Sequence, residues 1–229
     1  MLFLSKKNQL NMSNFIVGDI VTIKSHPLFS NTHKKINALT SLVPPLMVVK
    51  EVLFDKEEKK ILYSNEIKKA KIADLTKYVC VYFNANKSEF VEKTIYHSLV
   101  KGYLDLKYYR KEEKSKSSNI DLVLEVAKYK HNVDYEFGKC VQFKTKKLEH
   151  RKSYDANTVE RIPGISFQTP DFILTGIKNE EQKDLFFNDG TQKKQMSTQL
   201  FKVMWFNHYQ QKFSEDYLPK EFFVEDLEI

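Results

Sequence analysis

The sequence predicts a mainly-β protein built as two small β-barrels from an internal duplication. Three observations carry that expectation. Short runs rich in β-branched and aromatic residues recur at close spacing, separated by turn residues. One run, Tyr78-Val-Cys-Val-Tyr-Phe-Asn84 with Phe90-Val-Glu92 behind it, returns as Phe201-Lys-Val-Met-Trp-Phe-Asn207 with Phe213-Ser-Glu215 behind it. A constant offset aligns Phe83 with Phe206, Asn84 with Asn207, Phe90 with Phe213, Glu92 with Glu215, Ile95 with Leu218 and Leu99 with Phe222.

Taken in order, residues 1–13 are polar after a brief apolar start and read as an N-terminal tail, with neither a signal peptide nor a membrane span expected. The first barrel is expected over 14–102. Gly18 marks a turn into a strand carrying Ile20, Val21 and Ile23, which His26-Pro27 ends because proline cannot donate to a ladder. A long polar loop from Leu28 to Leu42 precedes a second strand over 46–52. Residues 59–64 suggest a third strand, and lysine-rich 66–75 a helical turn or loop. Strands follow at 78–84 and 89–94, closed by a short turn or strand at 95–99. The charged, serine-rich stretch 103–120 reads as a linker. The second barrel is expected over 121–229, and an apolar-alternating extra strand at 120–126 fits either half. There Tyr135 to Lys144 matches Phe15 to Lys24, and a basic polar loop spans 146–168. Thr169 to Ile177 matches Pro44 to Val52, and 183–188 reads as a strand entering a tight turn at Asp189-Gly190.

The segments Gly18-Asp-x-Val-x-Ile-Lys-Ser25, Pro45-x-Met47-x-Val49, Cys80-x-Tyr82-Phe83 and Phe90 resemble the YodC-like bacterial domain of unknown function. That family begins Gly-Asp-x-Val-x-Leu-Lys-Ser and carries Pro-x-Met-x-Val and Cys-x-Trp-Phe strands. Here a long insertion runs from Pro27 to Val43, and Tyr82 stands at the tryptophan position. The second copy restores the tryptophan as Trp205, with Val203 for the cysteine and Phe172 for the methionine. The resemblance implies two SH3-like five-stranded barrels. It implies no activity, because the family has none assigned.

The net charge is +7, but only Arg110, Arg151 and Arg161 carry the guanidinium fork that base and phosphate recognition favours. Residues 1–130 hold 23 Lys/Arg against 14 Asp/Glu, so an anion-facing surface belongs to the first half. Cys80 and Cys140 lie in apolar runs and read as buried free thiols of a reducing cytosol. The six histidines lack metal-ligand spacing, and the six glycines form no phosphate loop. Glu92 and Glu215 repeat, which fits matching structural roles better than a catalytic pair. No enzyme, metal or cofactor is expected.

Binding is the expected function, as an accessory or adaptor subunit of a larger cytoplasmic assembly. One strand face carries Tyr78, Cys80 and Tyr82 and the other Val79, Val81 and Phe83, so one set must face outward or an interface. Tyr78, Tyr82, Phe201 and Trp205 are the candidate contacts for a protein partner, with the loops 27–43 and 146–168 beside each other. The alternative is sequence-tolerant nucleic-acid binding. Its candidates are Lys24, Lys34, Lys35, Lys68, Lys69 and Lys71 with Lys144, Lys146, Lys147, Arg151 and Lys152.

Overall fold

Apolar residues at every second position suit a strand buried on one face. The two runs that show this most clearly become the two longest strands. The structure is a computed structural model describing residues 15–29, 36–37, 39–55, 59–61, 70–72, 76–103, 107–108, 120–121, 129–130, 133–154 and 161–226. Among the described residues there is no α-helix. The first half contributes β1 (Ile20–Ile23), β2 (Ile36–Asn37), β3 (Met47–Phe54), β4 (Lys59–Ile61), β5 (Ala70–Ile72), β6 (Thr76–Asn84), β7 (Glu89–Tyr96) and β8 (Val100–Gly102). Short pieces β9 (Lys107–Tyr108), β10 (Ile120–Asp121) and β11 (Tyr129–Lys130) lead to the second half. That half holds β12 (Cys140–Phe143), β13 (Lys147–Tyr154), β14 (Arg161–Phe167), β15 (Phe172–Asn179), β16 (Lys194–Met196), β17 (Gln199–Asn207), β18 (Lys212–Pro219) and β19 (Phe223–Asp226).

Two antiparallel sheets share one strand order. The first runs β7-β6-β3-β1-β8, and the second runs β18-β17-β15-β12-β19 with β11 beyond β19. Neither closes on itself into a barrel. The likeness extends to irregularities: a bulge falls between Val49 and Glu51 in β3 and between Leu174 and Gly176 in β15. Gly18 and Gly138 both have positive φ, +90° and +84°, which glycine adopts without strain. Their amides bond the carbonyls of Val49 and Leu174, each at 2.8 Å. A 3-10 turn, His97–Leu99 or Lys220–Phe222, precedes each last strand.

The halves interlock. β16 leaves the second half to pair with β3, and β2 leaves the first half to pair with β13. The first half has its own core of Val21, Met47, Val49, Val52, Tyr78, Cys80 and Val100. The larger core, around Phe143, Phe172, Phe201, Trp205 and Phe223, also contains Val48, Val81 and Phe83 from the first half. The outer face of the first sheet therefore packs into the inner face of the second.

Several expectations change. The stretch 66–75 holds a strand, β5, which pairs with β4. The loops 28–42 and 146–168 contain β2 and the β13–β14 hairpin, and they meet through Arg151 opposite Asn37 and Lys152 opposite Ile36. These strands lack apolar alternation and owe their conformation to backbone pairing, so periodicity does not reveal them. The strand expected over 183–188 reduces to a single bridge, Phe186 to Gln192, because the segment beside it, entering β16, pairs with β3 instead. Cys80 is buried, but Cys140 is exposed because β12 presents it on the outer face. The linker 103–120 contains β9 and ends in β10, which pair with each other. Tyr103, at the start of that linker, is buried, while its residues 104–106 and 109–119, the tail 1–13 and most of the extra strand at 120–126 lie outside the described residues.

Candidate functional site

Strand alternation divides β17 into two sides. Phe201, Val203, Trp205 and Asn207 point inward and are buried, while Lys202, Met204 and Phe206 point outward. Residues directly opposite across a ladder share a face. Phe206 faces Phe213, and Met204 lies between Glu215 on β18 and Ile173 on β15. Ile173 in turn faces Cys140 on β12.

The outer face of the second sheet thus gathers Cys140, Ile173, Met204, Phe206 and Phe213. Phe206 is 47% and Phe213 69% exposed, and their rings meet edge to face at 5.7 Å. An exposed pair of contacting aromatic rings is an unusual use of surface unless something covers it. The border is polar. Lys202 binds Glu215 at 2.5 Å, and that hydrogen bond holds the Lys202 ammonium above its ordinary pKa. Lys178 sits 4.2 Å from the centre of the Tyr217 ring.

The corresponding face of the first sheet is Val48, Val81, Phe83 and Phe90, and it is covered. Phe90 lies 5.2 Å from Phe143, 5.4 Å from Trp205 and 5.5 Å from Phe172. Glu92 pairs with Lys50, as Glu215 does with Lys202. Both repeated glutamates therefore hold surface lysines.

The expected aromatic contacts fall mostly on the wrong side of their strands. Tyr78, Phe201 and Trp205 are buried, and half-buried Tyr82 packs against the first core. The larger rings fill the interior because enclosure removes most apolar area from water. Tyr78 also donates or accepts a hydrogen bond with His97 Nδ1 at 2.7 Å, depending on the tautomer. On the β17–β18 hairpin it is instead Phe206 and Phe213 that are exposed and in contact. The alternation signalled two sets, but not which copy leaves its outward set bare.

The described basic candidates are spread over several elements. Lys24 is exposed just after β1. Lys144, its counterpart after β12, is half-buried and donates to the Gly18 carbonyl at 2.8 Å, and loss of solvent around it holds its pKa below the ordinary lysine range. Lys144 is an inter-half bridge rather than a free cation. Lys146 binds Asp171 at 2.6 Å. Lys71 lies on β5, and Lys147, Arg151 and Lys152 lie on β13. Lys34, Lys35, Lys68 and Lys69 fall outside the described residues.

Burial pushes the Cys80 thiol up to about 12, which leaves it protonated and unreactive near neutral pH. Among the described residues no group of three or more His, Cys, Asp or Glu side chains is arranged to hold a metal ion. Among them also, no helix is long and apolar enough to cross a membrane. The chain matches no protein-family model, no curated protein and no solved structure.

Proposed function

We propose that this protein is a non-catalytic interaction module, an accessory or adaptor subunit of a larger cytoplasmic assembly. Its architecture is read as two open, SH3-like sheets related to the YodC-like domain, fused so that one half seals the other. The observation that carries this function is the exposed Phe206–Phe213 pair beside Ile173 and Met204, next to the Lys202–Glu215 ion pair and the Lys178–Tyr217 contact. An apolar centre with a charged rim is the layout of protein–protein contacts. Capture of a stoichiometric protein partner by the full chain, lost in Phe206→Glu and Phe213→Glu, tests it. A binding surface that survives both substitutions would place the contact elsewhere.

A second reading, sequence-tolerant nucleic-acid binding, has one specific support. The β2–β13 pairing brings Arg151 and Lys152 opposite Ile36 and Asn37, and Lys34 and Lys35 directly precede that strand in sequence. Fluorescence anisotropy with labelled single- and double-stranded DNA and RNA at two salt concentrations decides it. Binding that collapses with salt supports the lysine strip. No binding at low salt removes it.

A further inference from the structure

We propose that the edge of β15 from Gly176 to Asn179 takes an added strand from a protein partner. The partner segment runs antiparallel to β15 and sets an apolar residue opposite Ile177 and an acidic one opposite Lys178. This edge lies at the other end of β17 from the Phe206–Phe213 pair, and its test does not depend on theirs.

The repeat shows the equivalent edge occupied. The shared bulge aligns Glu51, Val52, Leu53 and Phe54 of β3 with Gly176, Ile177, Lys178 and Asn179 of β15. Beyond β1, the β3 edge is filled by β16: Met196 faces Glu51, Gln195 faces Val52 and Lys194 faces Leu53. On β15, β12 pairs only with Phe172 and Ile173, and among the described residues no strand pairs with the edge beyond them. The terminal strands β7 and β18 also lack an outer neighbour among the described residues, but there neither half supplies an example of an occupant.

Burial and hydrogen bonding agree. Val52 is fully buried, whereas its counterpart Ile177 is 38% exposed although it faces Phe201 of the core. Glu180 donates to the Thr198 carbonyl at 2.9 Å across the end of the β15–β17 ladder. Antiparallel pairing turns successive residues to opposite edges, so Ile177 and Asn179 direct their N–H and C=O groups away from β17, into the open slot. Phe54, the counterpart of Asn179, uses its N–H in that direction to reach the Lys193 carbonyl at 2.9 Å. An added strand supplies the same partners to Ile177 and Asn179.

Side chains select the occupant. The β3 edge carries Glu51, and β16 answers it with Lys194 at 3.0 Å. On β15 that acid is replaced by Gly176, and Lys178 stands at the Leu53 position. The charge that the occupant must bring is therefore reversed, and the net +7 of the chain favours an acidic segment. Ile177, beside Phe201, favours an apolar residue opposite it.

The probe is a synthetic peptide of residues 191–198 of this chain carrying Lys194→Glu and Gln195→Val, added to the isotope-labelled full chain and followed by amide hydrogen exchange. In the chain alone, the Ile177 and Asn179 amides should exchange at least ~10-fold faster than those of Val52 and Phe54. Peptide binding at about 1 mM or tighter should slow both amides ~10-fold or more. Since the Lys193 carbonyl points to β3, the amide two residues on, at position 195, points the same way. N-methylation at position 195 should therefore abolish binding, and N-methylation at position 194 should not. The peptide that keeps Lys194 should bind at least ~3-fold more weakly. Asn179→Pro, which removes an N–H directed away from β17, should melt as the native chain does and weaken binding ~10-fold. Ile177 and Asn179 amides already protected in the chain alone overturn the proposal. So do an absence of binding up to about 1 mM, equal tolerance of the two N-methyl groups, or protection confined to Val52 and Phe54. A peptide that binds across Phe206 and Phe213 instead overturns the added strand and leaves that aromatic pair as the contact.

Discussion

Trp205 donates its indole N–H to the backbone carbonyl of Ser88 at 3.0 Å, although 117 residues separate them. The Asn207 side-chain amide donates to the same carbonyl at 3.0 Å. Ser88 sits in the β6–β7 turn with φ +53°, and Gln211 has the same φ in the corresponding β17–β18 turn. One turn is plugged into the other half, and its twin lies at the surface.

Trp205→Phe removes one of the two donors to that carbonyl and should cost about 1–2 kcal/mol. Trp205→Ala also opens a cavity in the shared core and should cost about 3–5 kcal/mol. Urea unfolding followed by far-UV circular dichroism measures both. A single transition is expected in each case, because the second core includes residues of both halves. Two separated transitions would mean the halves unfold independently.

The duplication provides an internal control for burial. Phe83→Ala and Phe90→Ala, at covered positions, should each destabilise by about 3–4 kcal/mol. Phe206→Ala and Phe213→Ala, at matching but exposed positions, should stay within about 1 kcal/mol. Thermal melts would expose the contrast. Equal losses in the two pairs would contradict the assignment of inner and outer faces.

Gly18→Ala and Gly138→Ala both place a Cβ on a backbone with positive φ, at about 1 kcal/mol each. Only at Gly18 does the new Cβ also meet a neighbour, the Cβ of Glu221 at 2.8 Å. Around Gly138 there is open space. Gly18→Ala should therefore be the more harmful, and denaturation midpoints that rank them the other way would remove the close contact as the cause.

Burial lowers the pKa of His26 from 6.5 to about 4. The unfolded chain then binds the proton first as pH falls, so stability is intact above pH 6.5 and declines toward about pH 4. The slope is about 1.4 kcal/mol per pH unit at most, for a total near 3 kcal/mol. Urea midpoints across this interval should fall in the native protein and fall less in His26→Gln. An unchanged profile in that variant would assign the acid sensitivity to other groups.

The period-2 pattern made the main sheet strands legible. Val21 and Ile23, Val79 and Val81, and Val203 and Trp205 each show the alternation that a buried strand face imposes. The offset between Phe83 and Phe206 likewise foretold the shared strand order. Strands without that pattern stayed hidden. Lys194-Gln-Met196 carries no alternation and is extended because β3 offers it a ladder. The site was half legible. Opposite faces could be told apart in each copy, but whether Phe206 or Phe83 is covered depends on how the halves dock, which no local pattern encodes. Cys140 was hidden for the same reason.

The plugging of the first half into the second has a consequence for synthesis on the ribosome. Phe83 and Phe90 emerge long before Trp205 and Phe223 exist to cover them. At ~5–20 residues per second, the 117 residues between Ser88 and Trp205 take on the order of ten seconds to make. During that interval the nascent first half presents an uncovered hydrophobic sheet, with β3 still lacking β16 along its edge. Translation speed through the second half therefore sets how long the nascent chain is open to chaperones and to aggregation.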